Sequence, residues 1–257
     1  MPPTTHRRRP APALLENLRA RIRRLERHSG RGTGADSDAL PFADAAIDDV
    51  LPWGGLPRAC LNEICGGAAA TGFATALLSR FAAGGDSVLW CRRGRGLYGP
   101  GLAAFGLGPE RLIVARGRND TEVLWAMEEG LRSASLAAVL GETGSISPTA
   151  ARRLQLAAES SGVTALLLHP TPPAAANPAT TRWRVTSAPN QGVDGQDVDG
   201  MIGIRWRVEL LRCRGTAPRT WIMDWHNGKT GGFSVAADLH DRPLESIEEG
   251  NGLRLAG

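Results

Sequence analysis

The segment Cys60-Leu-Asn-Glu-Ile-Cys-Gly-Gly-Ala-Ala-Ala-Thr-Gly-Phe-Ala-Thr75 has the order of a phosphate-binding loop. A short apolar run, 61–65, enters a glycine-rich turn at 66–72. A helical pattern follows in Phe73, Ala76, Leu77, Leu78 and Phe81. Strand, glycine loop and helix N-terminus together aim backbone N–H groups at phosphates. A working loop reads G-x-x-x-x-G-K-[ST], with Lys on the β/γ-phosphates and a hydroxyl on magnesium. Counted from Gly67, this chain has Phe73 where Lys belongs and Ala74 where the hydroxyl belongs. Gly66, Gly67, Thr71 and Gly72 therefore outline a vestigial phosphate loop without its charged group. Residual phosphate binding by its N–H groups is one reading. Close packing of strand against helix is the other.

No other position supplies the lysine. Lys229 is the only one among 30 basic residues, in Gly228-Lys229-Thr230. A phosphate loop there would need glycine at position 223, which is Met223. The strand-like runs 220–225 and 233–235 flank it, so 226–231 reads as a hairpin connection turning at Asn227-Gly228.

The elements that would position such a loop alternate from residue 50 onward. Strands are expected at 61–65, 87–91, 112–114, 136–140 and 163–169. Helices are expected at 74–83, 101–105, 122–133 and 149–160. Val123, Leu124, Met127 and Leu131 share one face of the third helix. Short apolar strands between amphipathic helices imply a mainly parallel sheet covered on both sides. After Pro170 the pattern changes to a Pro/Ala-rich loop, 171–181, and strands at 182–185, 204–213, 220–225 and 233–235. In 204–213, Trp206, Val208 and Leu210 alternate with Arg205, Arg207 and Glu209, as in an antiparallel extension with one buried side. Trp183, Trp206, Trp221 and Trp225 are expected in the core. Arg182, Arg184, Arg205, Arg207, Arg212 and Arg214 are expected on a solvated face. His169 ends a core strand with no acid partner visible in the sequence. The three aspartates of 192–200 lack a full calcium-ligand pattern and read as an acidic loop.

Composition bounds the alternatives. The 257 residues suit one sizeable domain with appendages. No apolar run reaches the ~18–20 residues of a membrane span, and no signal peptide is evident, so the cytoplasm is expected. Cys60, Cys65, Cys91 and Cys213 lack metal-ligand spacing and read as buried thiols, so neither a metal nor a cofactor is expected. Charge is uneven. Residues 1–31 hold nine arginines against Glu16 and Glu26, a net +7, which leaves about −3 for the rest of a +4 chain. Within 12–28, Leu15, Leu18, Ile22 and Leu25 form a narrow apolar helical seam, a candidate partner-binding surface. Arg7, Arg8, Arg9, Arg19, Arg23 and Arg27 are candidate contacts for DNA or an acidic partner. Such a helix must dock, on its own body or on another protein. The expected organisation is a basic arm, helix and linker at 1–39, a core at 40–238 and a tail at 239–257.

The run Leu51-Pro-Trp-Gly-Gly-Leu-Pro-Arg-Ala-Cys-Leu-Asn-Glu-Ile-Cys-Gly66 resembles the entry to the ATP-binding core of RecA-type recombinases. The resemblance covers about residues 45–235. More closely, Val88-Leu-Trp90, the 99–107 element with its Gly-Pro-Gly start, the 205–214 strand and Trp221-Ile-Met-Asp-Trp225 are similar to the ImuA family. The resemblance implies an α/β, RecA-like three-layer domain with a mainly parallel sheet, an antiparallel C-terminal extension and a separate basic N-terminal helix. It also implies an accessory role in damage-inducible (SOS) mutagenesis. The implied partners are an ImuB-type Y-family polymerase relative and an error-prone replicative-type DNA polymerase, with RecA as a further candidate.

A RecA-type ATPase also needs a water-orienting glutamate and a magnesium-binding aspartate. Arg92-Arg93 stand in the first place. Gly141 stands near the second, with Glu142 beside it. Without Lys and the metal hydroxyl the main stabilisation of phosphoryl transfer is missing, so no ATP hydrolysis is expected. The segments where a recombinase carries its DNA-binding loops, 143–148 and 171–181, hold neither Arg nor Lys. The leading expectation is a non-catalytic adaptor in translesion DNA synthesis. A SulA-like inhibitor of cell division and a divergent ATP-binding repair protein are the alternatives.

Overall fold

The computed structural model describes residues 38–94, 96–172, 177–189, 204–226 and 232–239. The basic arm with its seam (Leu15, Leu18, Ile22, Leu25) and its arginines (Arg7, Arg8, Arg9, Arg19, Arg23, Arg27) lies outside these residues. So do the 192–200 acidic loop and the Lys229 turn.

Nine strands form one sheet in the order β11-β10-β9-β8-β3-β7-β6-β4-β5. Its centre is parallel: β3 (Leu61–Cys65) lies between β7 (Thr164–His169) and β8 (Thr181–Ser187). Next come β6 (Leu136–Glu142), β4 (Ser87–Arg93) and the edge strand β5 (Leu112–Gly117). On the other side β9 (Ile204–Cys213), β10 (Arg219–His226) and β11 (Gly232–Asp238) continue from β8 as antiparallel neighbours. The central strands are buried on both sides and mostly apolar, as parallel strands are when helices cover both faces, with Asn62, Glu63 and His169 among the polar exceptions.

One face carries α1 (Ala45–Asp48), α2 (Ala68–Ala82) and α3 (Gly99–Ala104). Its core is aromatic: Phe42, Phe73, Trp183, Trp206, Trp221, Trp225 and Phe233 are buried together. The four tryptophans thus fill the core, as their alternation predicts. The opposite face carries α4 (Asp120–Leu131) and α5 (Pro148–Ser161) over a smaller aliphatic core of Leu89, Val123, Met127, Leu131, Val139 and Leu154. Asn119 and Ser147 cap these two helices by accepting hydrogen bonds from Glu122 N and Ala150 N. The architecture is the three-layer α/β arrangement with an antiparallel extension that the sequence implied.

Three features differ from the sequence reading. A two-stranded ribbon, β1 (Ala39–Leu40) with β2 (Leu56–Pro57), and the single turn α1 precede the sheet. Elements this short leave no periodic signal. Helix α2 starts at Ala68 rather than at residue 74. Arg182 is also not a solvated-face residue: its side chain is only 13% exposed and turns inward to Glu63.

Candidate functional site

The junction of β3 and α2 is where a phosphate loop would sit, and its backbone follows a different course. Residues 68–71, which would bow around a phosphate, form the first turn of α2. The Thr71 N–H donates to the Gly67 carbonyl at 3.2 Å, an ordinary helical bond. The Ala-rich run favours this outcome, because alanine is the best helix former and no ligand is needed to order it. Phe73 points into the aromatic core with no exposed surface. Its ring centroid lies 5.4 Å from Phe233, 5.8 Å from Trp206, 6.2 Å from Phe42 and 6.4 Å from Trp183. Ala74, at the hydroxyl position, is buried as well.

Two glycines have packing reasons to be where they are. Gly66 has φ +140°, and a Cβ there would meet the Val185 carbonyl oxygen at 2.3 Å. Its N–H donates to the His169 carbonyl at 2.9 Å, tying the junction to β7. Gly72 faces the aromatic layer, where a Cβ would lie 3.1 Å from the Phe105 ring and 3.3 Å from Trp206. Gly67, at the start of α2, has open space beside it and supplies no side-chain cap.

The cleft in front of this junction encloses about 340 Å³, with Gly66, Gly67, Thr71, Arg92, Glu142 and His169 among its lining. Its charges neutralise one another. Glu142 accepts a hydrogen bond from Trp90 Nε1 at 2.7 Å, and the Arg92 guanidinium stands 3.3 Å from its other oxygen. Arg93 pairs with Asp120 at 3.0 Å, and Asp120 also accepts from Gly144 N at 2.9 Å. The residues standing at the two acidic positions of a RecA-type site are thus held in ion pairs across the cleft. Parallel pairing of β4 with β6 creates this juxtaposition, which neither segment shows alone.

Behind the cleft lies a buried polar cluster that the sequence did not disclose. Glu63 is fully buried, with its carboxylate accepting from Arg182 Nε at 2.6 Å and from Asn177 Nδ2. His169 is also buried: its Nδ1 lies 3.2 Å from the Thr143 carbonyl oxygen, and its Nε2 is 3.7 Å from Glu63. That second distance is too long for a hydrogen bond. His169 therefore does have an acid beside it, brought there by β3–β7 pairing across about a hundred residues of sequence. Burial opposes ionisation of Glu63, but the polar contacts with His169, Arg182 and Asn177 outweigh it. They hold its carboxyl below the ordinary range. The network joins three strands where an unpaired charge would be costly. All four cysteines are free and buried, and burial raises Cys60, Cys65 and Cys213 to about 11 and Cys91 to about 12.

Sheet order, the strand-to-helix junction and the cleft define a three-layer α/β protein with a mixed sheet, in which this junction is filled by side chains of the core. No protein-family model matches the chain. Protein ImuA of Caulobacter vibrioides, in each of two strains, is 34% identical to it over 239 residues. The match takes in 85% of this chain and 97% of that protein. The chain belongs to the ImuA family.

Proposed function

We propose that this protein is a non-catalytic, RecA-like adaptor of damage-inducible (SOS) mutagenesis that supports translesion DNA synthesis. Its partners in this reading are an ImuB-type Y-family polymerase relative and an error-prone replicative-type DNA polymerase, with RecA as a third candidate. Membership of the ImuA family supports the biological setting. The burial of Phe73 in an aromatic core supports the absence of catalysis, because no cation can reach a phosphate from that position. The Arg92–Glu142 and Arg93–Asp120 pairs point the same way, since both carboxylates are already engaged. The fold then serves as a rigid body for surfaces, and nucleotide is neither required nor turned over.

The N-terminal arm, 1–39 with its basic helix, is the proposed contact for an acidic partner or DNA backbone. The remaining chain divides into the core at 40–238 and a tail at 239–257. Among the described residues no helix is long and apolar enough to cross a membrane. The test is recovery of the tagged protein from damage-treated cells. Co-recovery of the two polymerase-type partners is expected. Recovery of the tubulin-like division protein without them would favour a SulA-like role instead.

A further inference from the structure

We infer that the N-terminal segment 12–28 docks on its own body, laying Leu15, Leu18, Ile22 and Leu25 along the groove between α4 and α5, across Leu156 and Trp125. Two large apolar side chains lie exposed on the outer surface of these helices. Trp125 of α4 is 63% exposed and Leu156 of α5 is 46% exposed. Between the helices runs an open groove of about 600 Å³, with Leu156 and Ala157 among its lining and Glu128, Arg132 and Arg153 at its margins. Along α4 and its C-cap, Trp125, Glu128 and Arg132 are spaced +3 and +4, so they form one stripe. Arg153, Leu156 and Ser160 form the matching stripe on α5. Glu128 bridges the two helices through its ion pair with Arg153. An exposed Trp beside such a groove is the kind of group that anchors an interface.

Three observations select the occupant. The first is shape. The seam Leu15, Leu18, Ile22, Leu25 is one narrow stripe, which suits the valley between two helices.

The second is the tether. The described chain begins at Asp38, whose carbonyl accepts from Arg58 N at 3.0 Å. The next residue, Ala59, donates to Thr164 Oγ1 at 3.2 Å, and Ser161, three residues before Thr164, lines the groove. The chain therefore starts at the end of the sheet where the groove opens. The linker 29–37 spans at most about 30 Å, and a 12–28 helix is about 25 Å long. Tethering at that range gives millimolar effective concentrations, favouring the same chain over a second copy.

The third is charge. At helical spacing, Glu26 flanks the seam and is the group that can meet Arg132 or Arg153 at the groove margins, because Glu128 is already shared between those two arginines. Docking in this pose has one consequence for the arm. Arg23, Arg24 and Arg27 fall on the side of the helix away from the seam, and so present a basic face outward from the body.

In this pose Leu25 lies nearest Leu156, and Leu18 nearest Trp125. Full-length double variants Leu25→Cys with Leu156→Cys, and Leu18→Cys with Trp125→Cys, test it under mild oxidation. The native thiols, buried and with raised pKa values, do not compete. An intrachain disulfide should form about tenfold faster than in the control pair Leu25→Cys with Ile113→Cys, the excess set by effective concentration. Equal rates, or linked dimers as the main product, would overturn docking within one chain. As an independent check, Leu156→Asp should speed tryptic cleavage of the arm several-fold, by about five to ten times, with circular dichroism unchanged. An unchanged cleavage rate would also overturn it.

Discussion

Replacing Phe73 by Lys restores the consensus residue of a phosphate-binding loop, yet it should damage this protein rather than revive it. The Phe73 ring is fully buried and contacts four other aromatic rings at centroid distances of 5.4 to 6.4 Å. Truncating such a ring to alanine costs about 3–5 kcal/mol, part of it from aromatic pairs worth about 0.5–1.5 kcal/mol beyond their area. A lysine loses the same packing and adds the desolvation of an ammonium group. Phe73→Lys should therefore cost at least as much as Phe73→Ala. Against a total stability of about 5–15 kcal/mol, both variants would be severely weakened. With a urea slope of about 2–3 kcal/mol/M, the midpoint of Phe73→Ala should fall by roughly 1–2.5 M. Tryptophan fluorescence follows the transition directly, since Trp183 and Trp206 adjoin the site. The reasoning would be refuted by a Phe73→Lys protein with the parent midpoint that binds ATP at micromolar concentration. That result would mean the loop is one side chain away from function.

Other outcomes follow from the same contacts. Glu63→Gln should lower stability by about 3 kcal/mol at neutral pH by breaking a buried ion pair. Because the folded-state pKa of Glu63 is lowered, its contribution is full above the unfolded value of about 4.3 and is lost as pH falls through the folded value. The variant should thus show a flatter acid limb in urea midpoints measured against pH. Gly66→Ala should cost about 2–4 kcal/mol through positive φ and the collision with the Val185 carbonyl. Gly72→Ala should cost less, because only side-chain rings must yield; equal losses in thermal melts would contradict this. Deleting residues 1–29 should weaken partner or DNA binding without unfolding the body. A steep decline with salt would mark the arginines as phosphate contacts, and undiminished binding would remove the arm from the account.

Much of the fold was legible because the strands are short apolar blocks and the helices carry clear 3.6-residue patterns. Strand β3 and strand β9 run at Leu61–Cys65 and Ile204–Cys213, the spans read from the sequence. The start of α2 was not legible. Glycines at 66, 67 and 72 signal a loop, whereas Ala68–Ala70 favour helix by their own propensity. Phe73 read as a missing lysine; its positive role as the hub of an aromatic layer depends on residues 42, 183, 206 and 233, far away in sequence. The same distance hid the Glu63–Arg182–Asn177 cluster and the Arg92–Glu142 pair. Each needs strand order as well as residue type. The arginines of β8 and β9 looked alike along the chain, but the sheet separates them. Arg182 is drawn inward to Glu63, Arg205 pairs with Asp224 at 2.6 Å, and Arg184 and Arg207 share Glu209 at 3.5 Å.

The central claim is that the fold acts as a nucleotide-independent adaptor. Its most direct test is the affinity of the full chain for an ImuB-type polymerase relative from the same genome, measured by calorimetry with and without Mg-ATP. The account predicts saturable binding with the same dissociation constant in both conditions. Absence of binding, or a tenfold change in affinity on adding nucleotide, would contradict it.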